Sequence, residues 1–270
     1  SCSVAIALRV SSCITLPTLQ ATDHLRRHPD ISMILATGGS AMVRAAYSSG
    51  TPAIGVGPGN GPAYIEKTAD LPLAVKRIMD SKTFDNGTIC ASEQSVVCDT
   101  SMAPAVQEEM ERQGAYFLSE EQCKKLGAFI LRPNGTMNPV IVGKDAKTIA
   151  ELAEIKIPEG TKVLVAREDG IGPGHPYSNE KLAPILAFYT GESYREVCEL
   201  CQEILHYEGA GHTFSMHTKD QKMVDYFANR IPASRIIVNS PSALGGIGGT
   251  TGLMPALTLG CGAIGGSATS

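Results

Sequence analysis

The sequence predicts an α/β protein built on a mostly parallel sheet flanked by helices. Two observations carry that expectation. Short apolar runs rich in β-branched residues alternate with amphipathic stretches, so strand–helix–strand units recur along the chain. The composition, 43% hydrophobic and 19% charged over 270 residues, suits a globular protein with one large core or two domains.

The elements follow in order. A helix is expected over Pro17–His28 and a strand over Ile31–Thr37. The helix AMVRAAYSS then leads into the strand PAIGVG. Asp70 is placed to cap the helix LPLAVKRIMDS, because its carboxylate can accept from the free N–H groups of the first turn. A strand follows at Ser95–Asp99, then a helix near Ala103–Gln113 and a strand at Lys162–Ala166. The Pro/Gly loop Gly170–Pro176 precedes a strand near Pro184–Phe188. Helix Tyr194–Tyr207, strand Thr213–His217, helix Gln221–Asn229 and strand RIIVN complete the alternation, and the Gly-rich tail Gly245–Gly266 reads as irregular backbone. A domain boundary is expected where the helix ends in KTFDNGTIC. It divides residues 1–85 from residues 86–245, with the Gly-rich segment 246–270 after them.

Charge and cysteine content narrow the class. The net charge is −4 and no basic block occurs, which gives nucleic acid no footprint. No apolar run reaches bilayer length, so no membrane partner is expected. The opening SCSVAIALRV lacks the basic start and cleavage site of a signal peptide. The eight cysteines, Cys2, Cys13, Cys90, Cys98, Cys123, Cys198, Cys201 and Cys261, lie mostly in apolar periodic segments of a chain too long for a disulfide scaffold. Reduced thiols in a cytoplasmic enzyme are the better reading. Cys198 and Cys201 have C-x-x-C spacing but sit inside a predicted helix, where core packing explains them. The six histidines form no metal-ligand pattern, and no metal site is expected.

Three segments can carry chemistry. In ATGGSAMV a strand turns into a helix through adjacent glycines, a geometry that lets a pyrophosphate approach free backbone N–H groups. An ordinary tight turn fits the same residues equally well. IGVGPGNGPAYI lacks the spacing of a phosphate loop, and from Ile54 to Tyr64 it offers no carboxylate or histidine to act as a base. In FDNGTICASEQ, Cys90 follows a turn-forming Asp-Asn-Gly and precedes small residues. A nucleophilic cysteine suits such a loop, and its own N–H can help stabilise an oxyanion. A buried core thiol is the commoner fate of a cysteine. His175, in GIGPGHPYSNE, is the histidine most open to an acid/base role, with a plain loop histidine as the rival reading.

Taken together, ATGGSAMVRAAYSSGTPAIGVGPGN, KTFDNGTICASEQSVV, GHPYSNEKLAPILAFY and GHTFSMHTKD resemble, in order and spacing, the CoA-acylating aldehyde dehydrogenases. The resemblance is to acetaldehyde and propionaldehyde dehydrogenases, including the aldehyde dehydrogenase half of bifunctional aldehyde–alcohol dehydrogenases, and it runs from Ser12 to Ser267. It implies that Cys90 is the nucleophile. It implies that Thr37, Gly38 and Gly39 contact the cofactor, with Gly55, Val56 and Gly57 beside it. Glu180 would hold the nicotinamide ribose and Leu182 would lie near the ring. Gly55 stands where hydrolytic relatives carry a glutamate base, so the acyl group would pass to a thiol and not to water. The implied reaction is reversible NAD-dependent oxidation of a short-chain aldehyde to acyl-CoA. The implied setting is a homo-oligomer in the cytoplasm or in a bacterial microcompartment. The resemblance further implies an aldehyde dehydrogenase-like fold in which 1–85 is the C-terminal part of a Rossmann-like NAD-binding domain, 86–245 the catalytic domain and 246–270 a return segment toward the cofactor domain. Family members are longer, so the chain is expected to be a fragment that lacks the N-terminal part of the cofactor domain and the final C-terminal segment. A hydrolytic aldehyde dehydrogenase and a non-catalytic oligomer-forming fragment are the alternatives.

Overall fold

Seven parallel strands form the centre of the molecule. The computed structural model describes residues 12–37 and 39–254. The opening run, Gly38 and most of the Gly-rich tail lie outside the described residues. The chain enters through α1 (Leu19–Arg26), capped by the Thr18 hydroxyl on Ala21 N. It continues through β1 (Ile34–Thr37), α2 (Ser40–Tyr47) and β2 (Ala53–Val56). Strands β1 and β2 pair in parallel, with Thr37 opposite Val56, as a separate two-stranded sheet.

The large sheet begins at β3 (Pro62–Ile65), followed by α3 (Leu71–Thr83) and β4 (Ser95–Asp99). Asp70 caps α3 as expected, its carboxylate accepting from Leu73 N at 3.2 Å. Next come α4 (Ala103–Arg112), β5 (Ala115–Phe117), α5 (Glu120–Ile130), α6 (Ala146–Leu152) and β6 (Val163–Arg167). The chain closes with β7 (Ile185–Gly191), α7 (Tyr194–Tyr207), β8 (Thr213–His217), α8 (Gln221–Ala228), β9 (Arg235–Val238) and α9 (Ser242–Gly246). The strand order is β5-β6-β7-β4-β3-β8-β9.

Period-2 alternation divides the core into two layers. Tyr64, Val97, Ala187 and Met216 face α5, α6, α7 and α8, packing on Leu126, Ile149, Cys201 and Phe227. Ile65, Val96, Cys98 and Phe188 face the other way, onto Val75 and Ile78 of α3 and Val106 and Met110 of α4. Each such aliphatic side chain withdrawn from water contributes roughly 1.5–3 kcal/mol. Cys198 and Cys201 are core residues of α7, as their helical placement predicts.

Several particulars differ from the sequence-based expectation. β3 and α3 belong to the seven-stranded sheet, since Pro62–Ile65 pairs with β4 on one side and β8 on the other. The chain therefore passes from the small sheet to the large one between Val56 and Pro62, well before the expected boundary at 85/86. β3, β5, α5 and α6 were not anticipated. The two strands have only four and three residues, too few to show a period. Gly245 and Gly246 close α9 and are not irregular.

Candidate active site

In a parallel sheet, the loops that precede neighbouring strands gather at one edge. Four such loops meet at the amino ends of β7, β4, β3 and β8. They carry Glu180 (before β7), Cys90 (before β4), Gly57–Gly61 (before β3) and His212 (before β8). The carboxyl ends of β1 and β2 face this edge. The pocket between them, about 350 Å³, is lined by Thr37, Gly39, Val56, Gly57, Pro58, Thr88, Ile89, Cys90, Glu180, Leu182 and Ile247.

The Cys90 turn is formed by a tight, partly left-handed backbone. Asp85, Asn86 and Gly87 all have positive φ, and a Cβ on Gly87 would lie 2.9 Å from the Ala183 carbonyl oxygen. The Asn86 amide donates to Gly143 O at 3.0 Å and fixes the turn from outside. Cys90 is half-buried and free. Burial pushes its thiol up to about 11 and the Glu180 carboxylate adds to the rise, while the N–H groups of Cys90 and Ala91 favour the thiolate. The resting group is therefore a thiol. Those same N–H groups are the donors available to negative charge developing beside the sulfur.

Glu180 accepts from Gly59 N at 2.7 Å, and its own N–H donates to Glu208 Oε2 at 2.6 Å. Burial pushes its carboxyl up to about 8. Gly59 is hemmed in. A Cβ there would stand 2.0 Å from the Cys90 carbonyl oxygen and 3.1 Å from His212 Cε1. Only glycine lets this loop lie against the Cys90 turn and still donate to Glu180.

Behind the pocket lies a fully buried polar cluster. Gln94 donates its N–H to Gly61 O, and its side-chain oxygen accepts from Lys82 Nζ at 3.2 Å and from Lys181 N at 3.1 Å. Glu93, pushed up to about 7 by burial, accepts from Ser242 N at 3.0 Å, and Ser81 Oγ accepts from Ala243 N at 2.8 Å. These two bonds fasten the start of α9, which places Ile247 in the pocket wall.

The structure thus brings Thr37, Gly39, Val56, Gly57, Cys90, Glu180 and Leu182 to one pocket; Gly38 lies outside the described residues. Gly55 departs from the expectation that it stands at the pocket where a base would act. Its Cα faces α2, so a Cβ would lie 2.4 Å from Val43 Cγ1 and 3.1 Å from Tyr47, and Gly55 N donates to the Tyr47 hydroxyl at 2.9 Å. The carboxylate that does line the pocket is Glu180. His212 was passed over in the sequence for His175. His212 is buried beside Gly59, its Nδ1 pairs with Thr213 Oγ1 at 3.0 Å, and its Nε2 is unpartnered. Burial lowers it to about 4, so it is neutral. Its position just before an apolar strand was the available signal. His175 instead pairs with Glu168 at 2.9 Å, away from the pocket lining. Among the described residues, Glu168, Asp169 and His175 place ligand atoms within 4.8 Å of one another. Glu168 already serves His175 and Tyr177 N, and Asp169 is almost fully exposed.

The surroundings of Cys90 suit a dinucleotide. Gly39 caps α2 without a side chain, which leaves first-turn N–H groups for phosphate, and nothing stands within 4 Å of a Cβ there. Val56, Leu182 and Ile247 give an apolar wall near the thiol. The fold and site define a free cysteine set in a pocket between two parallel sheets. The chain belongs to the aldehyde dehydrogenase family, whose model matches residues 9–250. It is 44% identical over 262 residues to the bifunctional aldehyde-alcohol dehydrogenase of Escherichia coli, covering 95% of this chain and 29% of that protein. A "probable aldehyde dehydrogenase" of Listeria monocytogenes superposes with TM-score 0.91 at 62% identity, covering 94% of this chain and 56% of that one. An acetylating aldehyde dehydrogenase of Geobacillus thermoglucosidasius gives 0.90 at 51% identity, with the same coverage. The chain therefore spans less than a third of the bifunctional relative and a little over half of these solved chains. Among the described residues no helix is long and apolar enough to cross a membrane.

Proposed function

We propose that the chain contributes the nucleophile-bearing part of an enzyme that interconverts a short-chain aldehyde and its acyl-CoA, with NAD as the redox partner. The observation that carries this reading is the placement of Cys90 and Glu180 in one pocket, with Gly59 between them. A nicotinamide dinucleotide bound there supplies the hydride acceptor. Thr37, Gly39 and the start of α2 would hold its phosphates, and Glu180 its ribose hydroxyls.

The chain's own groups do the rest. The Cys90 thiol gives up its proton to solvent, its Sγ adds to the aldehyde carbon, and the N–H groups of Cys90 and Ala91 support the developing oxyanion. Oxidation leaves an acyl thioester on Cys90. The carboxylate in the pocket, Glu180, is engaged by Gly59 N–H, which leaves it poorly placed to activate water. A thiol ionises far more readily than water, so CoA is the competent acceptor. The energy of oxidation is retained in the thioester and the reaction runs in both directions.

We read the setting as a homo-oligomer in the cytoplasm or in a bacterial microcompartment. The free thiols suit a reducing compartment. Leu35 and Ile54, partners in the small sheet, are exposed apolar surface that suits further protein. The test is NADH formation from acetaldehyde or propionaldehyde, with and without CoA, for the native protein and Cys90→Ala. Turnover should need both CoA and Cys90. Turnover that ignores CoA would support the hydrolytic alternative, and activity in Cys90→Ala would remove the nucleophile.

A further inference from the structure

The segment Tyr177–Leu182 has a feature that the reaction does not use. Lys181 is fully buried, although its neighbours Glu180 and Leu182 both line the cofactor pocket. A lysine in a protein interior is costly unless its amine is satisfied. Here Nζ donates to two backbone carbonyls of its own turn, Tyr177 O and Asn179 O, each at 2.6 Å, and the Lys181 N–H donates to the Gln94 side chain at 3.1 Å. The side chain folds back beneath the loop and holds two of its carbonyls, while the backbone N–H of Lys181 ties the loop to Gln94 of the buried cluster.

This arrangement has a consequence for the two flanking residues. Leu182 has φ 47°, a left-handed conformation that L residues with branched side chains adopt only when the surroundings impose it. Its carbonyl accepts from Gly143 N at 3.1 Å, which holds the strained peptide from the other side. Glu180 is tied to Glu208 through its own N–H. Lys181 is directed inward, while Glu180 and Leu182 on either side of it line the pocket. Burial lowers the amine to about 7, and in either protonation state it has at least two N–H groups for the two carbonyls it meets.

We propose that Lys181 is a positioning residue that aims Glu180 and Leu182 into the cofactor pocket by anchoring the Tyr177–Asn179 turn from beneath. This rests on the reading of that pocket as the NAD site. Lys181 touches neither the substrate nor the thiol, so its effect should fall on cofactor use and spare the intrinsic reactivity of Cys90.

The test compares Lys181→Met, which keeps length and apolar bulk but has no N–H, with Lys181→Gln, which keeps two N–H groups on a shorter stem. KM for NAD should rise about tenfold or more in Lys181→Met and less in Lys181→Gln, as is usual when a buried partner of a ligand-holding group is lost. KM for CoA should stay within twofold of wild type. So should the rate at which iodoacetamide alkylates Cys90 without cofactor. A wild-type KM for NAD in Lys181→Met overturns the proposal. A parallel fall in Cys90 alkylation and CoA use also overturns it, because the lysine would then be a general core element. Wild-type protein that alkylates normally at Cys90 but neither binds nor uses NAD overturns the reading of the pocket itself, and this proposal with it.

Discussion

Gly59→Ala is the sharpest perturbation of this site. The added methyl would sit 2.0 Å from the Cys90 carbonyl oxygen, 2.8 Å from its carbonyl carbon and 3.1 Å from His212 Cε1. Two of these neighbours are backbone atoms, so no flexible side chain can swing clear. Restoring ordinary contact moves the Cys90 peptide or the 57–61 loop by about 1 Å, and misplacement of that size costs roughly 10²-fold in rate. That corresponds to about 2.7 kcal/mol of transition-state stabilisation. The overpacking itself should cost about 1–3 kcal/mol of stability. The Gly59 N–H bond to Glu180 also shifts, so cofactor affinity should weaken alongside. The assay is CoA-dependent NADH formation, with a denaturation curve for each protein. A variant with wild-type kcat/KM would show that the loop yields freely and that Gly59 does not set the site's spacing.

Two further perturbations follow from titration. Without cofactor, the rate of Cys90 alkylation by iodoacetamide should rise about tenfold per pH unit from pH 7 to 10, because the thiol is pushed up to about 11; a plateau near pH 8 would refute the burial argument. Glu93 is raised from 4.5 to about 7 by burial, so the folded state holds a proton that the unfolded chain releases. Its contribution to stability should therefore fall as pH rises from about 4.5 through 7. Glu93→Gln should gain on wild type by up to ~3 kcal/mol between pH 5 and 8 in denaturant titrations. A stability difference that does not vary with pH would contradict this.

Much of the scaffold was readable in the sequence because its signals are local. Asp70 before an amphipathic run marked α3, and β-branched runs such as Val163–Val165 marked strands buried on both faces. α5 carried an equally local sign, the Ser119–Gln122 capping box, which went unread. The shared edge was not readable. Glu180 meets Gly59 across 121 residues, and only the strand order places the loop before β7 beside those before β4 and β3. The motif resemblance supplied Cys90 and Glu180 without that geometry. It also carried Gly55 as a pocket residue, whereas the strand's alternation turns Gly55 toward α2 and presents Val56 instead. For His212 only its place before an apolar strand was legible, since nothing beside it in the chain reveals that Gly59 would lie against its ring.

The account's central claim is that Cys90 carries an acyl group exchangeable with CoA. Incubating the protein with acetyl-CoA, without NADH, and measuring peptide masses tests it most directly. The account predicts one added acetyl group on the peptide containing Cys90, removed by free CoA and absent in Cys90→Ala. An acetyl group on another cysteine, or none on any peptide of a protein whose Cys90 is alkylated normally by iodoacetamide, would contradict it.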